Sequence, residues 1–277
     1  MQATASMPRP TRGLPAACIG AALMLLAGAG AAVAHEAPPA ARATAAPTAR
    51  SQAPAALGLE SVPAPLAARF GVSITAAPGR DGAAARPTRA EWTFVRGADR
   101  IALHKGGIDE IWTRDAGGRI GFERIFHDDR TIVAYSPGEL ATLGVHADWP
   151  TLARFIDPLE LRALRFVARS GKGDAERIRL AGTADPGVQP ALLVEWLPAW
   201  QLPARIVRRG KDGSVVRIEL EQRAAAPLPG WLVGAAGTQG YARIDAADFG
   251  DMEYDPVVRK AEALDVRAGW RQAHAPH

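Results

Sequence analysis

Cysteine is nearly absent. The 277 residues contain one, Cys18. A chain with a single cysteine forms no internal disulfide, so a hydrophobic core must hold the fold. Familiar catalytic motifs are also missing. No glycine-rich phosphate loop follows a strand, no nucleophile elbow of the G-x-S-x-G type occurs, and there is no H-E-x-x-H. The nearest approach to a phosphate cradle, Gly171-Lys172-Gly173, reads as a loop after a helix. No concentrated basic block is present. The chain carries 33 Lys+Arg against 29 Asp+Glu. Setting aside Arg9 and Arg12 of the N-terminal segment leaves 31 against 29, a net of +2. That near balance argues against a dedicated nucleic-acid binder. No cofactor is expected, and no enzymatic activity.

The N-terminus has the form of an export signal. Arg9 and Arg12 precede the apolar run "ACIGAALMLLAGAGAAVA", which closes on Ala32-Val33-Ala34, a small-x-small site for cleavage after Ala34. Cys18 lies before the greasy centre, with Pro15 where a lipobox needs leucine, and the two arginines are not adjacent. General export to the periplasm is therefore the expected route. Residues 35–87 are Ala/Pro/Thr/Arg-rich and read as a disordered tether. Within it, "LGLESVPAPLAARFGVSI" has enough apolar content for a short helix or docking segment.

The composition changes near Arg89. "AEWTFVRG", "DRIALHK", "IDEIWTRD", "RIGFERIFH" and "RTIVAYS" read as five strands. The links between them are short, which implies antiparallel pairing. Gly117 and Gly118 mark one hairpin turn. Ser136-Pro137-Gly138-Glu139 is a capping box that opens a short helix. Asp157-Pro158-Leu159-Glu160 repeats the signature and predicts a helix over "DPLELRALRFVARSG", closed at Gly171. Strands resume at "AERIRLAG" and "ALLVEWLP". Two further runs flank Lys211-Asp212-Gly213, and Val216, Ile218 and Leu220 alternate with Arg217, Glu219 and Glu221, so one face is buried and the other wet. Residues 88–223 thus form one β domain of meander, helices and meander. Residues 224–277 follow as an acidic strap and a C-terminal helix.

The stretch Leu192–Leu220, "LLVEWLPAWQLPARIVRRGKDGSVVRIEL", resembles the ending of the periplasmic lipoprotein-carrier family, the outer-membrane lipoprotein sorting proteins. Its Trp196-Leu197 strand, Leu202-Pro203, glycine turn and final alternating strand carry the likeness, which extends over about half of the chain. The resemblance implies an α+β fold: a curved antiparallel sheet forming an open half-barrel, with helices packed on or lidding a concave face that holds an acyl chain or another hydrophobic partner.

Candidate site residues follow from chemistry. Trp92, Trp112, Phe122, Phe126 and Trp196 all fall on predicted strands and are candidates to line a hydrophobic cavity, because ligand pockets are mostly apolar and aromatic. His104, His127 and His146 show no ligand spacing, and His127-Asp128-Asp129 reads as a polar turn. Cleavage after Ala34 would leave His35 with a free amine, a potential copper chelate, which His274 and His277 could join if the two ends met. In "DAADFGDMEYDP", Asp248, Asp251, Glu253 and Asp255 are candidate cation ligands. Asp251, Glu253, Asp255 and Glu262 fit positions 1, 3, 5 and 12 of a calcium loop, but Pro256 occupies the position that needs glycine. Pro256 fits better as the first residue of a helix capped by Asp255, with Phe249, Met252 and Tyr254 pinning the strap to the body.

The expected function is a secreted, non-enzymatic binding protein for a lipid, lipoprotein or hydrophobic segment, with at most transient membrane contact. The alternatives are a periplasmic copper- or calcium-handling protein and an accessory protein that docks a partner through residues 224–277.

Overall fold

The structure, a computed structural model, describes residues 57–78, 86–182, 191–226 and 235–271. The expected export signal with its Ala34 cleavage site, His35, His274 and His277 lie outside these residues.

The first meander is β2 (Thr88–Arg96), β3 (Arg100–Lys105), β4 (Ile108–Arg114), β5 (Ile120–Phe126) and β6 (Thr131–Tyr135). Three short helices follow: α1 (Pro137–Thr142), α2 (Trp149–Arg154) and α3 (Pro158–Ala163). The second meander is β7 (Arg165–Ser170), β8 (Arg177–Ala181), β9 (Leu192–Leu197), β10 (Leu202–Arg209) and β11 (Val215–Ala224). A strand ahead of both meanders, β1 (Leu66–Thr75), pairs with β2 on one side and β11 on the other. It joins them into one twelve-stranded sheet of order β12-β6-β5-β4-β3-β2-β1-β11-β10-β9-β8-β7. The last strand, β12 (Ala242–Asp245), pairs in parallel with β6, and the other pairs are antiparallel. The sheet does not close into a barrel. This is the expected α+β class, an open curved sheet with helices. Among the described residues no helix is long and apolar enough to cross a membrane.

β1 falls inside the segment read as tether, and in its first half it is buried on both faces: Ala67, Ala68 and Phe70 are inaccessible. The register explains the burial, because a strand flanked by two partners leaves its backbone no exposed edge. A second difference lies after α3. The helix expected to reach Gly171 stops at Ala163, Leu164 turns extended, and residues 165–170 become the edge strand β7. The apolar side chains that would continue the helix, Phe166 and Val167, have no core to face and stay half-exposed, whereas the open edge of β8 offers hydrogen bonds to an extended backbone. Gly171 does adopt a positive φ of 73°, but it closes the β7–β8 hairpin rather than a helix. Helix α2, opened by Asp148 as N-cap with Pro150 in the first turn, is a third element outside the sequence reading. The capping box of α1 forms as expected: Ser136 accepts from the backbone of Glu139, and the Glu139 carboxylate accepts from that of Ser136.

Alternation assigns the two faces. Trp92, Phe94, Leu103, Trp112, Phe122, Val133 and Tyr135 point to the concave side, where one continuous core forms with Phe70, Val72, Ile178, Val194, Trp196 and Ile218. The opposite side of the first meander holds a small cluster of Ala102, Ile111 and Ile125. Phe155, which follows α2 in a left-handed conformation (φ 64°), swings its ring into the concave core. There it stacks on Phe70 at 4.9 Å and meets Phe94 and Trp92 edge-on.

The C-terminal region completes the core. After β12, a 3-10 turn over Ala246–Asp251 leads to α4 (Pro256–Arg267), whose N-cap Asp255 accepts from the backbone of Val257 and Val258 as expected. Val257, Val258, Ala261 and Trp270 are buried against the first meander. Phe249 is buried and Met252 partly so, but Tyr254 is 84% exposed and pins nothing.

Candidate functional site

All five aromatic candidates lie on the concave face, and the protein's own lids cover all of them. Trp112 and Phe122 meet Trp270 at 5.9 and 5.2 Å. Trp92 meets Phe155 at 6.2 Å. Trp196 donates its indole N–H to the carbonyl of Leu57 at 2.8 Å. Phe126 borders a cleft of about 260 Å³ between the Gly106-Gly107 turn and α4. The five are 4% exposed or less, so a ligand reaches them only when a lid moves.

Two lids differ in how they are fastened. Over the first meander, α4 is locked by buried charge. Lys105 pairs with Glu110, Glu110 contacts Arg124 at 3.7 Å, and Arg124 binds Asp265 of α4 at 2.9 Å. The Tyr135 hydroxyl also donates to Asp265, at 3.0 Å, and Arg271 reaches the same carboxylate at 3.3 Å. Burial alone would raise the Glu110 carboxyl, but Lys105 and Arg124 outweigh it and hold the pKa below the ordinary value. Burial lowers Lys105 despite its Glu110 partner. Burial and the Asp265 carboxylate raise Tyr135, although Arg124 opposes them, so the phenol stays neutral and donates. Detaching one member of such a buried network leaves charge uncompensated in low dielectric, so α4 is costly to lift.

The lid over the middle of the sheet is a strap, residues 57–64, held mainly by side-chain hydrogen bonds to backbone carbonyls, with one exposed ion pair between Glu60 and Arg162 at 2.7 Å. Arg96 is 2% exposed and, among the described residues, has no carboxylate partner. Its guanidinium donates to Ala64, Ala153, Trp200 and Gln201 carbonyls at 2.9, 2.6, 2.9 and 3.1 Å. Burial, and the nearby Arg154 charge, lower its pKa to about 10. Arg154 donates to the carbonyls of Leu59 and Ser61 at 3.1 and 2.9 Å, and the Gln201 amide donates to the Ser61 hydroxyl at 2.6 Å. Leu57 and Leu59 are buried, but Val62 at the outer bend is 89% exposed.

Between this strap and helices α2 and α3 opens a cleft of about 660 Å³. Val62, Pro63, Trp149, Ala153 and Leu159 form its apolar wall, and Arg96, Arg114, Arg154 and Arg162 stand round it together with the carboxylates Glu60, Asp148 and Asp157. Leu159 at the rim is 70% exposed. Arg114 lies over the Trp149 ring at 4.7 Å, a cation–π contact. Ala153 reaches both the cleft and the core, so the floor of the cleft is the outer skin of the aromatic layer around Phe155.

The metal candidates fare differently. Asp248 and Asp251 in the 3-10 turn and Glu253 just after it are exposed, and Asp255 is engaged as the cap of α4. The structure does not gather them. Of the core-region histidines, His146 is exposed and apart, while His104 and His127 meet at a shared carboxylate, Asp109, which the sequence reading missed. The signal lay in "HKGGID": a two-residue Gly-Gly turn places residues five apart directly opposite each other.

No family model matches the chain, and no curated protein does. Solved structures with a similar fold include a conserved protein from Thermus thermophilus, at 11% identity and a TM-score of 0.35 over 64% of this chain and 90% of that one. A LolA-superfamily protein from Nitrosomonas europaea matches at 10% identity and a TM-score of 0.29, over 60% of this chain and 88% of that one. An outer membrane lipoprotein-sorting protein domain from Vibrio parahaemolyticus matches at 5% identity and a TM-score of 0.27, over 64% of this chain and 89% of that one. These are likenesses in the outline of the fold.

Proposed function

We propose that the chain is a non-enzymatic binding protein of the periplasm that takes up an apolar group, the acyl chain of a lipid or lipoprotein or a hydrophobic protein segment, in the cleft between strap 57–64 and helices α2 and α3. The observation that carries the reading is the pairing of a mostly apolar cleft of about 660 Å³ with a lid fastened mainly by hydrogen bonds and one exposed ion pair, Glu60–Arg162, next to the aromatic cluster around Phe155. The volume lies in the range of small-ligand sites. Each methylene moved from water into such a site contributes about 0.8 kcal/mol, so a chain of ordinary acyl length supplies enough to offset loss of the strap's hydrogen bonds. A ligand then enters by lifting the strap and wedging under Ala153 toward Phe155, Phe94 and Trp92. The opposite half of the concave face, under α4, stays closed because its fastening is ionic and buried.

The test is titration of an environment-sensitive fluorescent fatty acid against the purified protein. Val62→Asp and Leu159→Asp place charge at the cleft rim, where exposure makes the changes harmless to folding. Saturable binding by the parent protein, weakened about tenfold or more by either change, is expected. No saturable binding, or binding indifferent to both substitutions, would defeat the proposal.

A further inference from the structure

The face of the first meander turned away from the cleft carries a polar cluster that the proposed function does not use. Gly106 and Gly107 join β3 to β4 with φ of 54° and 85°, a two-residue turn that sets His104 directly opposite Asp109. β5 runs on the other side of β4 with Ile125 opposite Asp109. His127, two residues further on the same face, therefore arrives beside that carboxylate, and its backbone N–H is fixed on the Gly107 carbonyl at 3.1 Å. His104 Nδ1 lies 2.5 Å from Asp109 Oδ1, and His127 Nε2 lies 3.0 Å from Asp109 Oδ2. One ligand atom from each residue falls within 4.8 Å of the other two.

We infer that His104, Asp109 and His127 form a binding site for a divalent transition-metal ion of the zinc or copper class. The Asp109 side chain is 3% exposed, and among the described residues its carboxylate contacts these two imidazoles and no lysine or arginine. A buried carboxylate without compensating positive charge is costly, and a bound dication supplies that charge. His127 Nε2 is itself buried and makes no aligned hydrogen bond, although the carboxylate is 3.0 Å away. Its lone pair is thus available to a metal. The other nitrogen of that ring, Nδ1, is 3.4 Å from the Tyr241 hydroxyl, an outer partner of the kind that orients ligating histidines. Two imidazole nitrogens and one carboxylate oxygen suit zinc, copper or nickel rather than calcium or magnesium, which take oxygen ligands. Three protein ligands leave a coordination position for water or an exogenous group. The His104 side chain, 30% exposed, gives the ion its way in.

The chain has six histidines. A variant carrying His35→Ala, His146→Ala, His274→Ala and His277→Ala keeps His104 and His127 alone. Zn²⁺ titration of this variant against a chromophoric chelator should show one equivalent bound, and Co²⁺ substitution should give the visible absorption of a low-coordinate site with nitrogen ligands. His104→Ala in that background, at a part-exposed position that does not endanger folding, should weaken Zn²⁺ by about tenfold or more, and adding His127→Ala should abolish the bound equivalent. Absence of a stoichiometric equivalent in the His104/His127-only chain overturns the inference, and so does uptake that His104→Ala leaves unchanged. The site and the cleft lie on opposite faces of the sheet, so either can fail without the other.

Discussion

Arg124 and Asp265 are 141 positions apart in the chain and 2.9 Å apart in the fold, with 2% and 0% of their side chains exposed. The pair ties the C-terminal helix to the first meander at the point where Glu110 and Tyr135 also converge. Removing one member leaves the other charged and buried, which typically costs about 3–5 kcal/mol. Asp265→Ala should therefore lower the free energy of urea unfolding by that amount, followed by tryptophan fluorescence. Replacing both residues, as Arg124→Met with Asp265→Leu, should recover most of the loss.

Truncation of the tail should behave as core damage. Deleting residues 235–277 removes Phe249, Val257, Val258, Ala261 and Trp270 from the buried cluster and strips Trp112 and Phe122 of their cover. The truncated chain should bind a hydrophobic dye strongly and unfold well below the parent. An unchanged unfolding midpoint with low dye binding would mean that the tail is a separable docking arm.

The parts of the fold legible in the sequence are those where local signals agree with tertiary need. Asp255-Pro256 opens a helix because the cap satisfies orphan amides wherever that helix packs, and the Lys211-Asp212-Gly213 turn pairs its flanking runs without outside help. β1 shows the opposite case. Leu66, Ala68, Phe70, Val72 and Ile74 alternate as a strand should, but Pro63, Pro65 and the surrounding alanines resemble a linker, and only its two distant partners, β2 and β11, reveal why it is ordered. Phe166 and Val167 misled in the other direction, since a period read as helical continues into an edge strand. The five aromatic candidates are legible as strand residues, but the cover over Trp92, Trp112 and Phe122 comes from Phe155 and Trp270, whose arrival depends on a left-handed residue and a C-terminal helix that pattern alone does not position. His104 and Asp109 were readable through the Gly-Gly turn; His127 joins them only through the β4–β5 register.

The strap should open independently of the core. Arg154→Met removes the donors to the Leu59 and Ser61 carbonyls, each lost bond being worth about 0.5–1.5 kcal/mol or somewhat more with a charged donor. Hydrogen exchange at residues 57–64 should accelerate while the amides of β1 and β2 stay protected. Association of the fatty-acid probe should quicken if lifting the strap limits entry.

Phe155→Ala should open the floor of the cleft. The ring stacks on Phe70 and abuts Phe94 and Trp92, so truncation costs about 3–5 kcal/mol. The space it leaves lies between the cleft and the aromatic layer. Bound probe should recover part of that loss, and the midpoint difference between parent and variant should shrink as the probe is added.

Acid should loosen the ionic lid before it affects the strap. The Glu110 pKa is held below its ordinary 4.5 by Lys105 and Arg124 against the opposing effect of burial. A carboxyl depressed in the folded state binds its proton less tightly there than in the unfolded chain. Stability from this group is therefore complete above the ordinary value and falls as pH drops below it, until the folded-state pKa is passed. Urea midpoints measured between about pH 5 and about pH 3 should decline, and Glu110→Gln, which has no charge to lose, should flatten that decline while lowering the midpoint at neutral pH. In the same range the contacts of Arg96 with Ala64, Ala153, Trp200 and Gln201 involve only backbone carbonyls, which do not titrate, and the strap's one carboxylate contact, Glu60 with Arg162, is an exposed pair worth at most about 1 kcal/mol. Exchange at residues 57–64 should consequently stay near its neutral-pH protection after α4 has begun to detach. If the strap instead opens first on acidification, the division between an ionic lid and a hydrogen-bonded one is wrong.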